Sequence, residues 1–327
     1  MKTALLVVAT FILSLSLLAS QPARLGKFLG KQFVSLQEND QSLVLIIFGD
    51  KGNLQKYKSA QAKSFLSDRA IQRRLKVRTQ AAIIDQLDYP LDQQYVKTIA
   101  AKVISVRHEL KWFNAVSVIA TKKQIEQIQQ LPFVTEIELV GKWKRNSSIE
   151  EPVPDNEQPV TSVPNKTTAL DYGPALKQLS QMNVPAVHNL GIYGQGVIVG
   201  VFDNGFRLLT HQAFSTMNII AQYDFVDHKV SVIPNNTSTS FGAHGVNTLS
   251  TIGGYMPAQL IGPAFKSSFI LARTENDSSE TPVEEDNWAK AIEWADSIGI
   301  DVASTSDRKS TRLNSSHLKL SRMPSSA

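Results

Sequence analysis

The stretch LGIYGQGVIVGVFDNGF, Leu190–Phe206, decides how the rest of the chain is read. Val197 to Phe202 is an unbroken apolar run, the pattern of a strand buried on both faces of a parallel sheet. Asp203 closes that run, and in open α/β sheets ligands sit at the carboxyl ends of the strands. Gly205 allows the chain to turn sharply just beyond it. Forty-one residues after the aspartate, His244-Gly245 opens a helix of small residues, AHGVNTLSTIGG over 243–254. Each residue alone reads as a turn aspartate or a loop histidine. In this order, on these elements, they are a carboxylate and an imidazole placed so that the acid can fix the tautomer of the base.

Downstream, Ser268 to Ala272 is a second buried strand. Thr281, Pro282 and Glu284 have the types expected at N-cap, N1 and N3 of a helix. That helix shows Trp288, Ala291, Ile292 and Ala295 on one face, and Gly299 stops it. Asp301 to Ser304 begins a further strand, so residues 169–306 read as an α/β unit. The pair Gly194-x-Gly196 precedes its strand instead of following it, which argues against a dinucleotide-binding fingerprint. The acidic stretch Glu275, Asp277, Glu280 and Glu284–Asp286 reads as a solvated loop with a negatively charged helix start. Binding of basic substrate residues or of calcium is the rival reading there.

Upstream, residues 42–140 alternate differently. Leu43 to Phe48 is an apolar strand, and Phe65, Leu66, Ala70 and Leu75 recur with helical spacing. Strands follow at Val103 to Val106 and Ala115 to Ala120, and Thr121 with Gln124 forms a capping box ahead of Ile125, Ile128 and Leu131. In a last strand Phe133, Ile137 and Leu139 oppose Glu136 and Glu138. Strand, helix, strand, strand, helix, strand is a ferredoxin-like order, with an extra helical piece near Leu91 to Ala100. A Pro-, Asn- and Glu-rich stretch, 146–168, reads as a linker opened by the dibasic pair Lys144-Arg145, which is either a site for a processing peptidase or a solvated basic end.

The two ends do not belong to the fold. Residues 1–20 carry Lys2, an apolar Ala4–Leu18 and small Ala19-Ser20, a secretory signal too short to span a membrane. Export to the periplasm or exterior is the expectation, with no stable membrane anchor. Asp307–His317 (DRKSTRLNSSH) and Ser321–Ala327 (SRMPSSA) read as an in-frame translation of sequencing adaptor, so the gene-derived sequence is expected to stop near Ser306. The formal charge of the chain is +5, but the last 21 residues supply +4 of it and Lys2 the remainder. The high pI is therefore no evidence for nucleic acid. Within the remainder, 21–145 holds 21 Lys+Arg against 11 Asp+Glu, and 146–306 holds 7 against 17. Halves of opposite sign are expected to meet. The chain has no cysteine, which excludes thiol peptidase chemistry, disulfides and Cys-based zinc sites.

Residues 190–206, 243–254 and 260–264 (LIGPA) resemble the catalytic domain of the subtilase family. Its acid motif Asp-x-Gly is matched by Asp203-Asn204-Gly205, and its base motif, which runs from His-Gly to a distant Gly, by His244, Gly245 and Gly253 or Gly254. Val246 stands where the family usually has Thr, and Asn247 and Thr248 replace its apolar pattern. Residues 42–140 are similar in layout to the propeptides of the family. Leu66-Ser-x-Arg-Ala, Lys111-Trp-Phe-Asn-Ala and Ala289-x-Ala-Ile-Glu-Trp-Ala are shared with exported subtilases of Bacteroidetes-like bacteria. The resemblance implies a partial subtilisin-like parallel sheet flanked by helices, preceded by an α+β ferredoxin-like propeptide (21–145) that acts as folding aid and inhibitor. It implies a serine endopeptidase acting on proteins or peptides, with Asp203 and His244 as two triad members and no required cofactor; a structural calcium ion has no assigned place. The nucleophile motif Gly-Thr-Ser and the oxyanion Asn are absent, and Ser304 and Ser306 lack the turn into a helix. The alternative reading is a non-catalytic exported scaffold or binding protein on the same fold.

Overall fold

A computed structural model describes residues 22–54, 64–140, 168–238, 241–276 and 284–305. The expected signal segment, the Lys144-Arg145 pair, most of the linker, the helix-capping Thr281 and the terminal tail lie outside these residues. Numbered in chain order, the first unit contains β1 (Arg24–Leu25), α1 (Lys27–Phe33), β2 (Gln41–Phe48), α2 (Asp68–Leu75), α3 (Gln93–Ala100), β3 (Ser105–Leu110), β4 (Ala115–Thr121), α4 (Lys122–Ile128) and β5 (Val134–Leu139). The second contains α5 (Leu176–Gln181), α6 (Val184–Asn189), β6 (Ile198–Asp203), β7 (Asn218–Asp224), α7 (Ala243–Gly253), β8 (Tyr255–Met256), β9 (Leu260–Ile261), β10 (Ser268–Arg273), α8 (Glu284–Ile298) and β11 (Val302–Thr305).

The first unit is a sheet in the order β1-β5-β2-β4-β3, antiparallel except for the added β1–β5 pair. Without β1 this is the ferredoxin-like order. Along β2 the side chains of Val44, Ile46 and Phe48 enter a core with Val116, Val118, Ile125, Ile128 and Ile137. The capping box forms as expected: Thr121 Oγ1 accepts from Gln124 N at 3.2 Å and Gln124 Oε1 from Thr121 N at 2.9 Å. The helices exchange roles, however. The crossover helix is α3, whose Val96 and Ile99 fill the core together with Leu91. The helix over 68–75 is the added one, and none of its residues joins that core. Helical spacing reveals that a face is buried but not which surface buries it.

The second unit is a parallel sheet in the order β11-β6-β10-β7. All six residues of β6 are buried, as its unbroken apolar run requires. Ile198 and Phe202 meet Ala291, Ile292 and Ala295 of α8 on one face, and Val199 and Val201 meet Val246 and Leu249 of α7 on the other. Chain progression builds β7 and β10 to one side of β6 and β11 to the other. Asp203 therefore ends the strand where the winding reverses, the place at which such sheets bind ligands.

Helix α8 has a second face. It lies against β3 of the first unit's sheet, reaches β4 through Ser117, and meets α2 at its end. Four arginines of the first unit meet three carboxylates of the second: Arg107 with Asp286, Arg73 and Arg74 with Asp296, and Arg69 with Asp301. The two oppositely charged halves of the sequence thus meet through these groups.

Candidate active site

Asp203 and His244 come together. Nδ1–H of His244 donates to Asp203 Oδ1 at 2.8 Å. The carboxylate is fully buried while the imidazole is 54% exposed, so the acid is shielded and the base is open to solvent. Asn204 N also donates to Asp203 Oδ1, at 2.8 Å, which fixes the carboxylate from its own backbone. The other oxygen, Oδ2, is buried and bonds to no described residue. With its proton held on Nδ1, the imidazole leaves Nε2 as a lone pair, the form able to remove a proton from a hydroxyl.

The three neighbours singled out by sequence tie the two elements together. Asn204 Oδ1 accepts from Gly245 N at 3.1 Å, joining the turn after β6 to the first turn of α7. Gly205 adopts φ +129°, backbone open to glycine and strained for other residues. At Gly245 a β-carbon would lie 2.2 Å from the carbonyl oxygen of Gly205 and 3.0 Å from Cβ of Asp203. Only glycine lets the helix start approach the acid this closely.

The departures from the usual base motif have a packing reason. Val246 is buried among Val201, Phe206 and Leu249, where an aliphatic side chain adds to the core. Asn247 is exposed and Thr248 half-buried, so their polarity meets solvent. Ser304, on edge strand β11, pairs in register with Val201 and makes no hydrogen bond to His244.

Sequence reading overlooked Arg273. It ends β10 in register with Asp203, and it is buried. Its Nε donates to the carbonyl of Asn204 at 3.1 Å and its Nη1 to Asp224 and Asp227 at 2.9 and 2.7 Å. Thr274 N then donates to Asp203 O at 2.9 Å. The available signal was an arginine ending the apolar run SFILAR, which needs a buried acid nearby; Asp224, ending the adjacent strand, is that acid.

The acidic helix start is a correction. Asp286 is not solvated: it accepts from Arg107 Nε at 2.9 Å and from Ser117 Oγ at 2.7 Å. Asn287 Oδ1 beside it accepts from His108 Nε2 at 2.7 Å and Arg107 Nη2 at 2.9 Å, while its amide donates to Thr274 O at 3.2 Å. Burial pushes the His108 imidazole down to about 4, against its hydrogen bond to Asn287 and the charge of Asp286; Arg107 and the facing His228 push the same way as burial. Near the helix middle, Glu293 accepts from Lys111 N at 3.1 Å and Trp112 N at 2.8 Å. Burial raises the Glu293 carboxyl above the ordinary carboxylate range, and these two N–H donors oppose that shift. Among the described residues no group of three His, Asp or Glu side chains is arranged to hold a metal ion.

Residues 43–155 match the family of the peptidase S8 propeptide domain, Bacteroidota. Fervidolysin from Fervidobacterium pennivorans, a keratinolytic enzyme related to subtilisin, aligns over 87% of this chain and 37% of its own, with TM-score 0.51 and 19% identity. That likeness is one of fold, and this chain spans little over a third of that enzyme's length. A serine protease of Aeromonas sobria in complex with its chaperone aligns over 34% of this chain and 18% of that chain, at TM-score 0.29 and 22% identity, too slight a likeness to bear on the fold. No curated protein matches.

Proposed function

We propose that the chain is the N-terminal part of an exported serine endopeptidase made as a proenzyme, a reading supported by the match of residues 43–155 to the peptidase S8 propeptide domain and by the likeness in fold to an enzyme related to subtilisin. The observation that carries this reading is the 2.8 Å bond from His244 Nδ1 to the buried Asp203 carboxylate, at the reversal point of a parallel sheet. In the parent enzyme, Asp203 holds the imidazole with Nε2 unprotonated. His244 takes the proton of a serine hydroxyl as that oxygen attacks a peptide carbonyl, then delivers it to the leaving amine. The serine and its oxyanion partner belong to sequence that follows Ser306 in the parent gene. Protein or peptide chains are the substrates. No cofactor enters this chemistry, and a structural calcium ion stays without an assigned place.

The organisation follows from the same reading. Residues 1–20 direct export, 21–145 are the propeptide, 146–168 the linker cut after Lys144-Arg145, 169–306 the first part of the catalytic unit, and 307–327 foreign to the fold. The propeptide covers α8 and acts as intramolecular inhibitor and folding aid. The Arg–carboxylate pairs and the buried Glu293 support that role. Extending the gene sequence past Ser306 tests the catalytic reading: a Gly-Thr-Ser motif opening a helix is expected, and its absence would sink it. In the full-length protein, His244→Ala should abolish peptidase activity; a scaffold protein would be indifferent to the change.

A further inference from the structure

The added helix α2 is built for something other than the core of its own unit. Residues 49–92 separate β2 from the crossover helix α3, and α2 lies among them. Its side chains and those of its N-cap instead address the far end of α8. A helix C-terminus leaves its last carbonyls without partners and carries partial negative charge. Ser67 satisfies two of them, donating from its backbone N to Ser297 O at 2.9 Å and from Oγ to Ile298 O at 2.6 Å. The same Oγ accepts from Ala70 N at 3.0 Å and so starts α2 at the point of contact.

The arginines continue the pattern. Arg69 donates to Gly196 O at 2.8 Å and pairs with Asp301. Arg73 bonds to Ile300 O and Asp296. Arg74 is buried and forked: it holds Asp88 within its own unit at 2.9 and 3.0 Å and reaches Asp296 at 2.5 Å. Shape adds a second criterion. At Gly299, with φ +99°, a β-carbon would lie 2.6 Å from Ala70 N, so the helices approach only where that position has no side chain.

We propose that residues 66–88 form a recognition clamp through which the propeptide selects its own catalytic unit by reading the Asp296–Asp301 end of helix α8. This rests on the reading that residues 21–145 are a docked propeptide. The clamp is separate from the grip on Asp286, Asn287 and Glu293, which is made by Arg107, His108 and Ser117 of β3 and β4 and by the turn between those strands. Its partner is a helix end of stated chemistry: carboxylates at 296 and 301, main-chain carbonyls at 297, 298 and 300 that accept from Ser67 and Arg73, and glycine at 299.

The test uses the whole chain with a site-specific cleavage sequence placed within 146–167. After cleavage the two parts of the wild type are expected to migrate together, and dilution gives their dissociation constant. Arg69→Ala with Arg73→Ala should raise that constant on the order of 100-fold, as for loss of interface charge pairs. Arg24→Ala, which removes a surface pair with Glu136 inside the first unit, should leave it unchanged. Amide protection at Val44, Val118 and Ile137 reports whether the propeptide core stays folded. If it does not in the double alanine variant, Arg69→Lys with Arg73→Lys decides, with weakening of about tenfold expected from lost bidentate reach. Arginine variants that bind as tightly as wild type overturn the clamp and leave docking standing. Wild-type parts that separate on cleavage overturn the docking itself.

Discussion

Acidification should loosen the joint between the two units through one histidine. His108 sits on β3 with its Nε2–H committed to Asn287 Oδ1. The groups that face it are Arg107 on its own strand, Asp286 and Asn287 on α8, and the ring of His228 at 5.1 Å. A proton added there enters a buried place beside Arg107 and a second imidazole, with Asp286 as the compensating charge. The docked imidazole titrates at about 4, against 6.5 for an ordinary one. The docked state therefore binds fewer protons than the separated state through that window. Docking is at full strength above 6.5, weakens as pH falls from 6.5 toward 4, and loses nothing more from this group below that. Each pH unit costs about tenfold, for a total on the order of 300-fold or roughly 3 kcal/mol. The assay is the dissociation constant of the cleaved two-part chain between pH 7.5 and 4.5. His108→Gln, which keeps an N–H donor without the titration, should flatten the profile. Glu293, raised by burial in the same joint, works in the opposite sense, so the refuting result is a profile in His108→Gln whose slope matches that of the wild type.

Gly245→Ala should push α7 off the turn at Gly205, costing roughly 1–3 kcal/mol of stability and breaking the Asp203–His244 bond, read as loss of the hydrogen-bonded Nδ1 proton resonance. Asp286→Ala leaves Arg107 and Ser117 without their shared acceptor, and docking should weaken by about 2–5 kcal/mol in the cleaved-chain assay. Val246→Thr places a hydroxyl in an aliphatic cluster and should lower the stability of the chain by about 1–3 kcal/mol in denaturant titration, with an unchanged or higher midpoint counting against the packing argument. Association of the cleaved parts should slow as salt rises from 0.05 to 0.5 M, because the cations lie on one part and the carboxylates on the other.

Much of this was legible in the chain because the decisive signals are local. The apolar run ending at Asp203 specifies a two-sided strand, and Thr121 with Gln124 specifies a helix start whatever surrounds them. The pairing of Asp203 with His244 was readable because each sits on an element whose type its own sequence declares. What escaped depends on partners far away in the chain. Asp286 looks solvated until Arg107, 179 residues earlier, is laid against it. The helices over 68–75 and 93–100 both show buried faces, yet one packs on its own sheet and the other on the neighbouring unit. Leu66-Ser-x-Arg-Ala, Lys111-Trp-Phe-Asn-Ala and Ala289-x-Ala-Ile-Glu-Trp-Ala look unrelated along the sequence. In space they are the two sides of one joint, Ser67 and Arg69 at the end of α8 and the Lys111-Trp112 amides on Glu293.

Helix α8 turns alanine and isoleucine toward one neighbour and Asp286, Asn287, Glu293 and Asp296 toward the other. That second face is wettable. When the units part, water can solvate each carboxylate, and the apolar contact that opens beside them is that of Trp112 against the core of the second unit. A lid held by oil would have to be traded for aggregation on opening; one held by charge can be lifted and discarded while the body beneath it stays soluble.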